Sequence, residues 1–272
     1  MPVQTLSPAL TIHYLHENPQ GAPAVLLLHG LGGTGASWQR HAAWLTEAGY
    51  RVLAPDMRGF GQSGYPGRTS IRAMAQDMAE LLQRAGAAPA HVVGISLGGT
   101  VAQQLALDNA ALVRSLVLVN TFAKLRPDGP RAWLYYLARL ALVHTLGLGV
   151  QARLVGRYMF PGPDQEEQRR ELYQQVVRSN VHAYRATMRA LWAFDVEGRL
   201  GEIRVPTLVV TGDQDSTVSP RNQRGLVEKI PGARQAIVAN ANHAVPLDQP
   251  AAFQRILGEF LEGLRTSRAC VR

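Results

Sequence analysis

Short apolar runs that stop at turn residues constrain this chain more than any other feature. Residues 24–28 read AVLLL and end at His29-Gly30. Such a run suits a strand buried on both faces and is too short for a helix. Five more runs follow the same rule: 51–54 before Pro55, 91–95 before Ser96, 115–119 before Asn120, 207–211 before Gly212 and 235–239 before Asn240. Stretches with helical spacing lie at 36–48, 70–85, 98–108 and 249–264. In the second, Ile71, Met74, Met78, Leu81 and Leu82 recur at steps of three and four. This alternation predicts an α/β fold, a mostly parallel sheet with helices on both faces. Ligands bind such sheets beyond the C-terminal strand ends, where the polar residues of interest fall.

Residues 122–200 break the alternation. They hold no convincing strand, and helical patterns cover 131–143, 166–173 and 180–194. The expected organisation is a core of residues 1–121 and 201–272, with 122–200 a helical cap inserted after the strand ending near Val119. Arg139 and His144 interrupt the most apolar helix, which argues against a membrane span.

Residues 94–98, GISLG, carry G-x-S-x-G between an apolar run and a helical pattern. That context places Ser96 on a sharp strand-to-helix turn, with the helix's amide end facing its hydroxyl. Glycines two residues either side leave room for the turn. Ser96 is the expected nucleophile. Residues 29–33, HGLGG, follow the first buried run, and the amides of Leu31 and Leu97 are the expected oxyanion hole. His29 reads as a structural hydrogen-bonding residue.

A serine hydroxyl needs a base, and the base needs an orienting acid. His243 alone of eight histidines sits in a loop after a late strand. Of Asp213 and Asp215, Asp215 lies further beyond its strand and is preferred. Asn120 cannot supply a carboxylate, and Asp248 reads as a cap for the last helix.

With these residues in hand, the chain resembles the α/β-hydrolase superfamily. The order Ser96, Asp215, His243 is that family's order, and 56–63 resembles its loop after the next strand. Asn242 stands where the family usually has glycine before the histidine. The resemblance spans nearly the whole chain. It implies a serine hydrolase that cleaves carboxylic esters through an acyl-enzyme on Ser96, needing no cofactor or metal. Three other readings stay open. Residues 120–124, NTFAK, resemble the loop of enol-lactone hydrolases of aromatic catabolism. Haloperoxidase-like perhydrolysis uses the same triad, and some members only bind ligands. Phe122, Trp133, Leu137 and Trp192 are the expected substrate contacts.

The formal net charge is +8, with 28 basic residues of which only Lys124 and Lys229 are lysine. The excess concentrates in 122–200 at +5, without a Lys/Arg run or interleaved aromatics. No nucleic-acid partner is expected; the partner is a small ester or lactone. A single cysteine, Cys270, excludes an intrachain disulfide. The opening MPVQ lacks a basic stretch and an apolar core, so the expectation is a cytoplasmic protein. Residues 59–64 match G-x-G-x-x-G, but Tyr65-Pro66 follows where a dinucleotide helix must open. His13 and His16 lack a third ligand for a metal. Oligomeric state is not assigned.

Overall fold

The computed structural model describes residues 2–126 and 129–269; Cys270 lies outside them. Two N-terminal strands, β1 (Val3–Ser7) and β2 (Leu10–Glu17), come first. The six apolar runs then form β3 (Ala24–Leu28), β4 (Arg51–Pro55), β5 (Ala90–Ile95), β6 (Val113–Val119), β7 (Thr207–Gly212) and β8 (Arg234–Val238). The eight strands make one sheet in the order β1-β2-β4-β3-β5-β6-β7-β8. β3 to β8 are mutually parallel, while β1 and β2 join antiparallel at one edge.

Each run is apolar throughout because both faces are covered. Successive strand side chains point to opposite faces. Leu26, Leu28, Leu53 and Val92 therefore pack on one side with Met74, Met78 and Val101. Val25, Leu27, Val52 and Val93 pack on the other with Trp38, Leu45 and Phe253. The covering helices are α1 (Gln39–Glu47), α2 (Ile71–Arg84), α3 (Leu97–Asp108) and the C-terminal helix, Pro250–Ala269. Ser70 begins α2 by accepting the Ala73 amide. The predicted helix at 36–48 divides, since Gly35–Trp38 is a 3-10 turn before α1.

Between β6 and β7 the chain forms a helical cap of α4 (Gly129–Thr145), α5 (Gly147–Met159), α6 (Glu166–Arg178) and α7 (Val181–Ala193). Helix α5 is not foreseen in the sequence, because Gly147, Gly149 and Gly156 weaken its pattern. The chain enters and leaves the cap side by side. Lys124 Nζ lies 2.5 Å from Asp195 Oδ2, and the Val196 amide donates to the Ala123 carbonyl at 3.0 Å. After β7 come α8 (Pro220–Lys229), α9 (Val245–Asp248) and α10, the Pro250–Ala269 helix. No helix among the described residues is long and apolar enough to cross a membrane.

Candidate active site

Ser96 stands between β5 and α3 with φ 52° and ψ −113°, a left-handed conformation that is strained for a residue with a side chain. Two backbone approaches force it. A Cβ on Gly94 would lie 2.3 Å from the Gly98 carbonyl oxygen, and one on Gly98 would lie 2.2 Å from the Leu28 carbonyl oxygen. Only glycine at both positions lets the turn close. The Ser96 amide donates to the Val119 carbonyl at 3.0 Å, and the Ser96 carbonyl accepts from the Thr121 hydroxyl at 2.7 Å. Its hydroxyl makes no capping bond to α3. Leu97 opens α3, so its amide has no intrahelical acceptor. Leu31 lies in the loop after β3.

His243 is buried, and its Nδ1 lies 3.0 and 3.1 Å from the two carboxylate oxygens of Asp215. Asp215 is itself fully engaged. Its Oδ1 accepts from the Thr217 and Val218 amides at 2.8 and 3.0 Å, and its Oδ2 accepts from Gln223 Nε2 at 3.2 Å. These donors fix the carboxyl group in place and aim it at the imidazole. Asp213 turns away to accept from the Ala241 amide. Ser96, Asp215, His243 and Leu31 line one cavity of about 400 Å³ between the sheet's C-terminal edge and the cap. The expected nucleophile, acid and base thus line one cavity, Leu97 is not among its lining residues, and Asp215 and His243 meet across 28 positions of chain.

Three supports were not foreseen. Asn120 has φ 42° and is completely buried. Its Nδ2 donates to the carbonyls of Asn242 and His243, both at 2.8 Å, and its Oδ1 accepts from the Gly212 amide at 2.9 Å. One side chain therefore ties the ends of β6 and β7 to the His243 loop. His41 Nε2 donates to the Pro246 carbonyl at 2.9 Å and fixes the same loop to α1. Gln223 braces the acid. None carries a periodic signal.

Asp248 corrects an expectation. It does not cap α10; it accepts from the Asn242 amide at 2.9 Å and from Gln165 Nε2 at 3.2 Å. The reason is its place in α9, facing back along the His243 loop. Burial pushes its carboxyl up to about 6, against the Asn242 hydrogen bond. His29 is structural as read. Its Nδ1 donates to the Gly30 carbonyl and its Nε2 accepts from the Met57 amide. Burial lowers its pKa, which favours this neutral form. Asp56 pins the neighbouring loops, accepting from the Gly35 and Gln62 amides. His16 accepts from Arg51 Nε at 3.0 Å.

Of the expected substrate contacts, only Phe122 lines the cavity. Trp133, Leu137 and Trp192 are corrections: they are exposed and outside the cavity lining, with the Trp133 and Trp192 rings edge-on at 5.3 Å. Helical phase explains this. Ala132, Tyr135, Tyr136 and Arg139 of α4 face inward at steps of three, four and seven, so Trp133 and Leu137 face out. Composition cannot set that phase.

The cap is seated closely. A Cβ on Gly32 would lie 2.7 Å from Val176 Cγ2, and one on Gly59 would lie 2.3 Å from Ala183 Cβ. Tyr158 donates to the Ser216 carbonyl at 2.9 Å, beside the acid.

A sequence-family profile described as the alpha/beta hydrolase fold matches residues 23–250. The chain belongs to the α/β-hydrolase fold family. Within it, the chain is 35% identical over 263 residues to RutD of Variovorax paradoxus (strain S110), a protein named for carbamate hydrolysis, covering 93% of this chain and 96% of that one. It resembles the structure of a hydrolase from Pseudomonas aeruginosa PA01 at TM-score 0.85 and 29% identity, over 96% of this chain and 97% of that one. It also resembles the enol-lactonase from Burkholderia xenovorans LB400, at TM-score 0.87 and 26% identity, over 96% and 100%.

Proposed function

We propose that this α/β-hydrolase cleaves carboxylic esters through an acyl-enzyme on Ser96. One observation carries the reading. A serine in a strained turn at a helix N-terminus shares a cavity with a histidine bonded to a buried, fully engaged carboxylate. In the proposed cycle His243 takes the Ser96 proton as the hydroxyl attacks the carbonyl carbon. The amides of Leu31 and Leu97 hold the oxyanion, each contributing roughly 3–4 kcal/mol to the transition state. His243 then protonates the departing alcohol, and water repeats the sequence on the acyl-enzyme. Asp215 keeps the imidazole in the required tautomer and stabilises its charged form.

Two further substrate types share this chemistry and are supported by named relatives. The likeness to an enol-lactonase favours a lactone, and the likeness to a protein named for carbamate hydrolysis favours a carbamate.

The test is initial rates on a chain-length series of p-nitrophenyl esters, an enol-lactone and an aryl carbamate, for wild type and Ser96→Ala. The expected result is turnover by wild type and a loss of about 10³-fold or more in kcat for the variant. The fastest substrate decides between ester, lactone and carbamate; halide-dependent peroxide consumption marks perhydrolysis. A folded protein that turns over nothing and takes no fluorophosphonate label on Ser96 refutes the catalytic reading in favour of ligand binding.

A further inference from the structure

The cavity that holds Ser96 also holds a cation that no carboxylate among the described residues pairs with. Arg139 projects from α4 into the cavity, and its Nε is buried with no hydrogen-bond partner. One turn earlier on the same face, the Tyr135 hydroxyl is also buried, and the Arg139 guanidinium hydrogen-bonds to the Tyr135 and Tyr184 hydroxyls, which leaves its Nε without a partner. Arg139 lies over the Tyr135 ring, 5.6 Å from guanidinium carbon to centroid. Among the described residues no carboxylate pairs with Arg139. Among the described residues the one acidic group lining the cavity, Asp215, is held by His243, Gln223 and two amides. Of the other two cavity arginines, Arg126 is paired with Glu197 at 2.6 Å, and Arg131 is exposed.

Buried donors are satisfied in most proteins, so an orphaned Nε–H on a guanidinium that otherwise meets only hydroxyl groups calls for an external acceptor. A guanidinium without an anionic partner in a low-polarity pocket is costly, and a carboxylate that accepts from its planar fork offsets that cost. Burial raises the Tyr135 and Tyr136 hydroxyls further above their ordinary pKa, so neither supplies a countercharge.

We infer that Arg139, with the Tyr135 hydroxyl, is the recognition site for a carboxylate on the substrate, making this a hydrolase of anionic esters, lactones or carbamates. The inference rests on the proposed serine chemistry at Ser96. Arg139 acts in binding, positioning the scissile carbonyl across the cavity.

The test compares mono-p-nitrophenyl glutarate with p-nitrophenyl pentanoate, which match in chain length and differ in the terminal carboxylate. The readout is the ratio of their kcat/KM values, which is independent of the fraction of enzyme folded. Wild type is expected to favour the anionic ester. Arg139→Gln is expected to lower the ratio by about 10- to 100-fold, with Arg139→Lys in between. A ratio that Arg139→Gln leaves unmoved overturns the inference while the serine chemistry stands. A second measurement does not need turnover. Calorimetric titration of glutarate into Ser96→Ala is compared with Ser96→Ala combined with Arg139→Gln. Weaker binding by the double variant supports the site, and equal binding, or none by either, overturns it. Anion binding that depends on Arg139 in a protein inert to both esters overturns the serine chemistry instead.

Discussion

Asn120→Ala removes a single buried side chain and should loosen three segments together. The asparagine makes three side-chain hydrogen bonds, to the Asn242 and His243 carbonyls and from the Gly212 amide. Alanine leaves all three groups orphaned, at about 1–3 kcal/mol each. Water entering the vacated space recovers part of this, leaving roughly 3–4 kcal/mol. Alanine must also hold φ near 42°, at about 1–2 kcal/mol more. The sum, roughly 4–6 kcal/mol, lowers Tm by about 10 °C at ~2 °C per kcal/mol for a chain of this size. Asn120→Gly keeps the hydrogen-bond loss and relieves the backbone, so it should melt about 2–4 °C above Asn120→Ala. Thermal melts by circular dichroism at pH 7 read both. Because the His243 backbone loses a tether, kcat/KM should also fall at least ~10-fold. An Asn120→Ala variant melting within about 2 °C of wild type would falsify the claim that this side chain holds the strand ends together.

Gly98→Ala places a methyl 2.2 Å from a backbone oxygen, so the soluble yield should collapse or Tm should drop by more than ~6 °C. Gly225→Ala, in α8 with open space around its Cβ, should instead raise Tm by about 1–2 °C; melts that move alike would refute the steric account. Asp248 holds its proton up to about pH 6, above the ordinary carboxylate value near 4. Its stabilising contribution is therefore complete below pH ~4 and lost as pH rises through 6. Asp248→Asn should raise Tm by a few degrees at pH 8 and by much less at pH 4; a pH-independent difference refutes this sign. Trp133→Ser, on the outer face of the cap, should leave KM for every substrate within about twofold, and a larger change would return Trp133 to the pocket.

The strands were legible because each is buried on both faces, which writes a continuous apolar run. Ser96 was legible because its turn admits only glycine at 94 and 98. Asp215 and His243 were legible as an orienting acid and a base in loops after late strands, whereas the Thr217 and Val218 amides and Gln223 that hold the acid were not.

What the sequence alone determined was local: strand identity, helix spacing, and the G-x-S-x-G turn with the steric demand behind it. What only the tertiary structure decided was long-range or rotational. Helical phase in α4 sent Arg139 and Tyr135 inward and Trp133 and Leu137 outward, and no run of apolar residues records which face meets the sheet. Asn120, Gln223, His41 and Asp248 act through partners many residues distant, chosen where strand ends and loops converge. A polar residue's partner is set by that convergence, so composition and spacing leave it unwritten.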